Sequence, residues 1–149
     1  MGPYINLADL YRRLNRDNDG EVVLQSALDK YPDLAAIHYA MGLLKVRQGK
    51  PQDAISYLQD AVKNDPDDPQ YVYVYAIGLN SQQQPAEALR VLKGAVKEFP
   101  FDRNILYALV TISMENGETE EALQYAQKLV GFYPEDPNYQ QVLNVLSNQ

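Results

Sequence analysis

His38 is the only imidazole in the chain, and there is no cysteine. These two facts remove most familiar chemistry. A zinc site needs three or four nitrogen, sulfur or carboxylate ligands gathered together, and a lone histidine has no second histidine or thiolate beside it. A Ser–His–Asp arrangement would have to use His38, yet no G-x-S-x-G elbow is present to display a serine. Without cysteine there is no thiolate nucleophile, disulfide framework or haem-attachment motif. No glycine-rich stretch matches a phosphate-binding loop. Three acidic pairs remain: Asp67–Asp68, Glu120–Glu121 and Glu135–Asp136. All lie where a helix is predicted to start, and a carboxylate there opposes the positive end of the helix dipole and caps free N–H groups. We therefore read the pairs as caps and His38 as a packing residue. The chain is expected to be neither an enzyme nor a holder of metal or cofactor.

The elements that carry these residues recur. Sliding the sequence along itself by 34 residues aligns Pro32, Pro66, Pro100 and Pro134 in one column. The same shift aligns Gly20, Ala54, Ala88 and Ala122 in a second column, and Ala27, Ala61, Ala95 and Leu129 in a third. A period of this size signals a solenoid of stacked units. In the second unit, Ile37, Met41, Leu44 and Lys45 lie at helical spacing. Gly49 is suited to the left-handed residue that ends a helix, and Pro51 to the first turn of the next. Ala54, Ile55, Leu58, Ala61 and Val62 then form an apolar stripe, and Asp68–Pro69 opens the following unit. The predicted repeats are 1–34, 35–68, 69–102 and 103–136, in one array. Residues 137–149 make a last helix whose polar side, Asn138, Gln141, Asn144, Asn148 and Gln149, reads as a solubilising cap. The first repeat is the poorest copy, with a ragged NRDNDGE joint and Gly20 in place of alanine.

The net charge is −7, which opposes binding to nucleic acid phosphates. No apolar run approaches the ~18 residues of a membrane span, so membrane insertion is not expected. The N-terminus has no leader pattern. It opens directly on a repeat, with Met1 and Gly2 where a cloning start would stand, so an excised segment of a longer protein is expected. A cysteine-free soluble chain suits a reducing or an oxidising compartment, which leaves cytoplasm and periplasm both open.

These columns resemble the tetratricopeptide repeat. Its pattern has a small residue at repeat position 8, here Ala8, Gly42, Ala76 and Val110, with alanines at 20 and 27 and proline at 32. The departures are Gly20, Val110, Ala126 in place of a large residue at position 24, and Lys45 at a usually aromatic position. The resemblance implies an all-α, right-handed superhelix of about four helix-turn-helix units with a C-terminal capping helix. Its concave face is lined by the first helix of each unit. On that implied face lie Tyr39, Tyr73 and Tyr107 in one column, Leu43 and Ile77 in another, and Arg12, Arg13, Arg47 and Asn80 at one edge.

Such a face implies a protein-interaction scaffold that holds a partner's peptide segment, apolar or aromatic, with some negative charge near the arginines. Tyrosine and arginine are enriched at binding hot spots, but tyrosine in this column is also a habit of the family's scaffold. The carboxylate clamp by which some members hold chaperone tails is missing, since Ile5, Asp9, Ala40, Gln70 and Val74 stand at its positions. Two other uses stay open. One is an oligomerisation module, through Tyr31, Phe99 and Tyr133 or an exposed first repeat. The other is a docking or regulatory arm of a larger enzyme, since the run from Tyr71 to Leu109 is similar to repeat segments of large bacterial proteins, multihaem cytochromes among them.

Overall fold

A computed structural model describes residues 2–148; Met1 and Gln149, both named above, lie outside the described residues. Among the described residues there are nine helices and no strand. They are α1 (Gly2–Arg13), α2 (Asp17–Lys30), α3 (Ala35–Arg47), α4 (Pro51–Asn64), α5 (Pro69–Ser81), α6 (Pro85–Glu98), α7 (Arg103–Glu115), α8 (Thr119–Phe132) and α9 (Pro137–Ser147). Helices α3, α5, α7 and α9 begin at residues 35, 69, 103 and 137, which is the predicted 34-residue register. The fold is all-α and built of helix-turn-helix units.

Local chemistry sets the joints. Asp102 accepts a hydrogen bond from the Ile105 amide at 2.9 Å and caps α7. Asp68 does the same for Gln70 at 2.8 Å and Asp136 for Asn138 at 3.0 Å. Within each unit the turn between helices is a left-handed C-cap. Asn15, Gly49, Gln83 and Gly117, 34 residues apart, have φ of 56°, 70°, 58° and 75°. The following amide then reaches back to a carbonyl five residues earlier, as Arg16 to Tyr11 and Lys50 to Lys45, both at 2.9 Å. Glycine marks only two of these four positions, so half of the left-handed joints carried no glycine signal.

Contacts divide the chain into two compact units, one running through Tyr71 and the other from Val72 onward, with the boundary inside α5. The N-terminal unit is centred on Ala8, Leu24, Ala27, Leu28, Ile37, Met41 and Leu44. Lys45, predicted within the apolar stripe, is indeed buried, but its ammonium reaches Glu21 of α2 at 2.6 Å. Gln48 donates to the same carboxylate at 2.7 Å. These bonds, the Lys45 one foremost, hold Glu21 below the ordinary glutamate range.

The C-terminal unit is centred on Leu106, Val110, Ala122, Ala126, Leu129, Tyr139 and Leu146. Here the two departures from the repeat pattern explain each other. Repeat positions 8 and 24 face one another, as Gly42 shows: a Cβ there would lie 2.8 Å from Leu58 Cγ. The other units pair a small residue with leucine, whereas Val110 and Ala126 exchange the large and small partners within one buried cluster. The Val110–Ala126 pair matches Gly42–Leu58 in side-chain carbon atoms and falls one methylene short of Ala8–Leu24 and Ala76–Leu92, a near conservation of volume that cores tolerate well.

Candidate functional site

The N-terminal unit gathers several predicted site residues into one groove. Ile5, Asp9 and Arg12 of α1 form one wall, Ala36, Tyr39, Leu43 and Arg47 of α3 the other, and Leu24 of α2 contributes from below. The enclosed volume is about 450 Å³. Spacing along each helix causes this convergence, because residues three and four apart share a face. Tyr39 is half-buried and held from the side. Its ring packs against Tyr71 with centroids 5.0 Å apart, and Gln70 donates to its hydroxyl at 3.3 Å.

The arginines differ from expectation. Asp9 accepts from both Arg12 and Arg13, at 2.6 and 2.9 Å, and the Arg12 hydrogen bond chiefly holds its carboxyl below the usual aspartate range. Arg47 reaches Asp17 of α2 at 3.1 Å. Every arginine of the positive edge inferred from the sequence therefore already has a protein carboxylate beside it, Arg12 and Arg13 sharing that of Asp9. Arg13 also leaves the group: it borders a separate shallow cleft with Asn6, Asp9 and Leu10.

The remaining predicted residues lie in the C-terminal unit. Tyr73 is half-buried and Ile77 is exposed, while Asn80 donates to Glu115 at 2.9 Å. Tyr107 is exposed and lines a second cleft, of about 400 Å³, with Asn104, Asn138, Tyr139 and Gln141. Its ring packs on Tyr139 at 5.9 Å, and burial raises the Tyr139 hydroxyl pKa. Asn138 and Gln141, expected only as a solubilising surface, are thus part of a cleft wall. The supports Tyr71 and Tyr139 were not anticipated, although each follows its partner by the same 32 residues. Two aromatic side chains of the oligomerisation reading have partners within the chain: Tyr133 donates to the Phe101 carbonyl, and Tyr31 packs edge-on against Tyr4 at 6.3 Å.

His38 is buried, with Nε2 2.6 Å from the Pro32 carbonyl and its ring beside Tyr57. Among the described residues no group of three or more histidine, cysteine, aspartate or glutamate side chains is placed to hold a metal. No helix there is long and apolar enough to cross a membrane.

The family model of the tetratricopeptide repeat matches residues 18–77 and 79–146. The chain belongs to this family, which is one of protein-interaction scaffolds. Among solved structures it is similar to MamA from Desulfovibrio magneticus RS-1, at 23% identity and a TM-score of 0.80, over 97% of this chain and 82% of that one. It is also similar to YrrB, described as a tetratricopeptide protein with an unusual peptide-binding site, at 22% identity and a TM-score of 0.77, over 97% and 74% of the two chains. PilF of Pseudomonas aeruginosa resembles it at 21% identity and a TM-score of 0.81, over 97% and 66%. Comparison with curated protein sequences finds no match.

Proposed function

We propose that the chain is an interaction scaffold whose N-terminal groove holds an apolar or aromatic side chain of a partner's peptide segment. The observation that carries this reading is the convergence of Ile5, Tyr39 and Leu43 on one cleft whose flanking charges already have partners. An apolar side chain entering there displaces water from apolar walls at about 25 cal/mol per Å² buried. It leaves the Asp9–Arg12 and Arg47–Asp17 pairs intact. An acidic ligand residue would have to compete with Asp9 and Asp17 for the same guanidiniums, so negative charge adds little. YrrB, with its peptide-binding site, is a precedent within the same fold. Tyr73, Ile77, Asn80 and Tyr107 are proposed to offer a comparable surface on the C-terminal unit.

The test is to select binders from a random peptide library displayed on phage and to measure their affinities for the parent chain and for Tyr39→Ala. Truncating a hot-spot tyrosine should weaken selected apolar peptides about tenfold or more. Unchanged affinity, or selection dominated by acidic peptides, would refute the reading.

A further inference from the structure

Two phenylalanines of the C-terminal unit lie on its surface and touch each other. Phe101, in the joint between α6 and α7, is 62% exposed, and Phe132, the last residue of α8, is 42% exposed. Their rings meet edge to face with centroids 4.8 Å apart. The repeat does not require them. At the same register positions the earlier units carry Asp33 and Asp67 in place of Phe101, and Lys30, Asn64 and Glu98 in place of Phe132. Asp33, Asp67, Lys30 and Glu98 are exposed and Asn64 is half-buried, although further helices follow each of them. Exposure here therefore belongs to the register position and does not depend on what lies beyond α9. The rings do not hold the joint either. Tyr133 donates to the backbone carbonyl of Phe101 and Asp102 caps α7, and neither bond involves a phenyl group.

Arg103, two residues after Phe101, departs from the pattern in two further ways. Arg12, Arg13, Arg16, Arg47 and Arg90 each reach a carboxylate within 3.1 Å, whereas Arg103 has no such partner among the described residues. It is also the first residue of α7, where the helix dipole disfavours a cation and where the other units place Ala35, Pro69 and Pro137. Its guanidinium lies over the Tyr133 ring, 4.5 Å from the centroid, with the Tyr139 ring 5.8 Å away. That stacking fixes its place beside the phenylalanines and leaves its in-plane N–H donors unmatched. The two capping aspartates of this unit are already engaged, Asp102 by the Ile105 amide and Asp136 by the amide and side chain of Asn138.

We propose that this face of the C-terminal unit docks a protein partner through a short segment in which apolar or aromatic side chains stand close to a carboxylate. The apolar side chains cover Phe101 and Phe132, and the carboxylate takes the free fork of Arg103. Tyr133 bridges the two halves, with its hydroxyl at the Phe101 carbonyl and Arg103 on its ring. The carboxylate should therefore fall within about three residues of the apolar side chain, at roughly 3.3 Å per extended residue. No residue of the N-terminal groove takes part, and the preference is opposite: negative charge adds little there and is required here.

The probe is the capped peptide Gly-Ser-Phe-Leu-Asp-Glu-Gly, titrated to millimolar concentration into the isotopically labelled full chain, beside a control with Asn-Gln for Asp-Glu. Amide shifts should centre on the α6–α7 joint and the end of α8 and should saturate, with the control bound about threefold to tenfold more weakly. Arg103→Gln should weaken the acidic peptide by the same factor and leave the control unchanged, so that the two losses do not add. Phe101→Asn with Phe132→Asn, both at exposed positions and with folding checked by circular dichroism, should abolish binding of both peptides. The proposal is overturned by an absence of shifts, by shifts centred on Tyr39 and Leu43 or on Tyr107, by equal affinity for the two peptides, or by indifference to the phenylalanine variant. It is also overturned if that variant breaks a dimer seen by sedimentation or abolishes binding to phosphatidylserine vesicles, because a second copy or a bilayer would then occupy the patch.

Discussion

Two buried glycines inside helices, Gly20 and Gly42, should respond to alanine in opposite directions. In an exposed helix the substitution is worth about 1 kcal/mol, because glycine loses more backbone freedom on folding. A Cβ on Gly20 would find Leu44 Cδ1 at 3.4 Å and the Ala8 carbonyl and Tyr11 Cβ at 3.6 Å, which is ordinary contact. Gly20→Ala should therefore keep the full gain. A Cβ on Gly42 would lie 2.8 Å from both Cγ and Cδ2 of Leu58. Carbon atoms prefer roughly 3.5–4.0 Å, so α3 and α4 would have to separate or Leu58 leave its rotamer. Leu58 is itself almost completely buried, and its branch point cannot swing aside. Overpacking of this kind costs about 1–3 kcal/mol, which exceeds the helix gain and leaves a net loss of about 1 kcal/mol.

Urea titration followed by far-ultraviolet circular dichroism would measure both changes. Thermal midpoints should move by roughly 2–4 °C in opposite directions. Placing Gly42→Ala in a Leu58→Ala background removes the clash, so the same substitution should there become stabilising. Equal stabilisation by the two alanines in the parent chain would refute the claim that repeat positions 8 and 24 compete for one space.

The left-handed joint supplies a second prediction. Gln83 holds φ of 58°, where an L-residue with a Cβ is strained by roughly 1–2 kcal/mol. Gln83→Gly should therefore raise stability by about 0.5–1 kcal/mol in the same titration, whereas glycine inside a regular helix would lower it. A third concerns acid. The folded pKa of Glu21 is depressed, so its contribution is present above the ordinary glutamate value and is lost as pH falls through the lower folded value. Stability of the parent should fall steeply with acid in that window, and Glu21→Gln should flatten the slope while lowering stability near neutrality. Identical slopes for the two proteins would show that the Lys45 and Gln48 bonds do not couple to folding.

Much of the architecture was legible without coordinates, because it is local. Proline fits the first helical turn and aspartate caps the amides that helix geometry leaves free. An apolar residue every third or fourth position makes one buried stripe, and repetition at 34 residues repeats all three. What escaped was either conformational without a residue signature or decided between distant residues. Asn15 and Gln83 take the left-handed turn although neither is glycine. Val110 and Ala126 look like two separate flaws until packing sets position 8 against position 24. The arginines illustrate both cases. Asp9 lies three and four residues from Arg12 and Arg13, so those pairs follow from one helix and could have been read from it. Arg47 meets Asp17 across 30 residues, only because α2 and α3 pack antiparallel.

Helical periodicity and capping act within a few residues, so the order of residues is enough to make this a chain of helical hairpins. Packing between helices decided which buried volumes fit and that Arg47 meets Asp17. Those outcomes depend on distances between helices, and no periodicity along one chain specifies them.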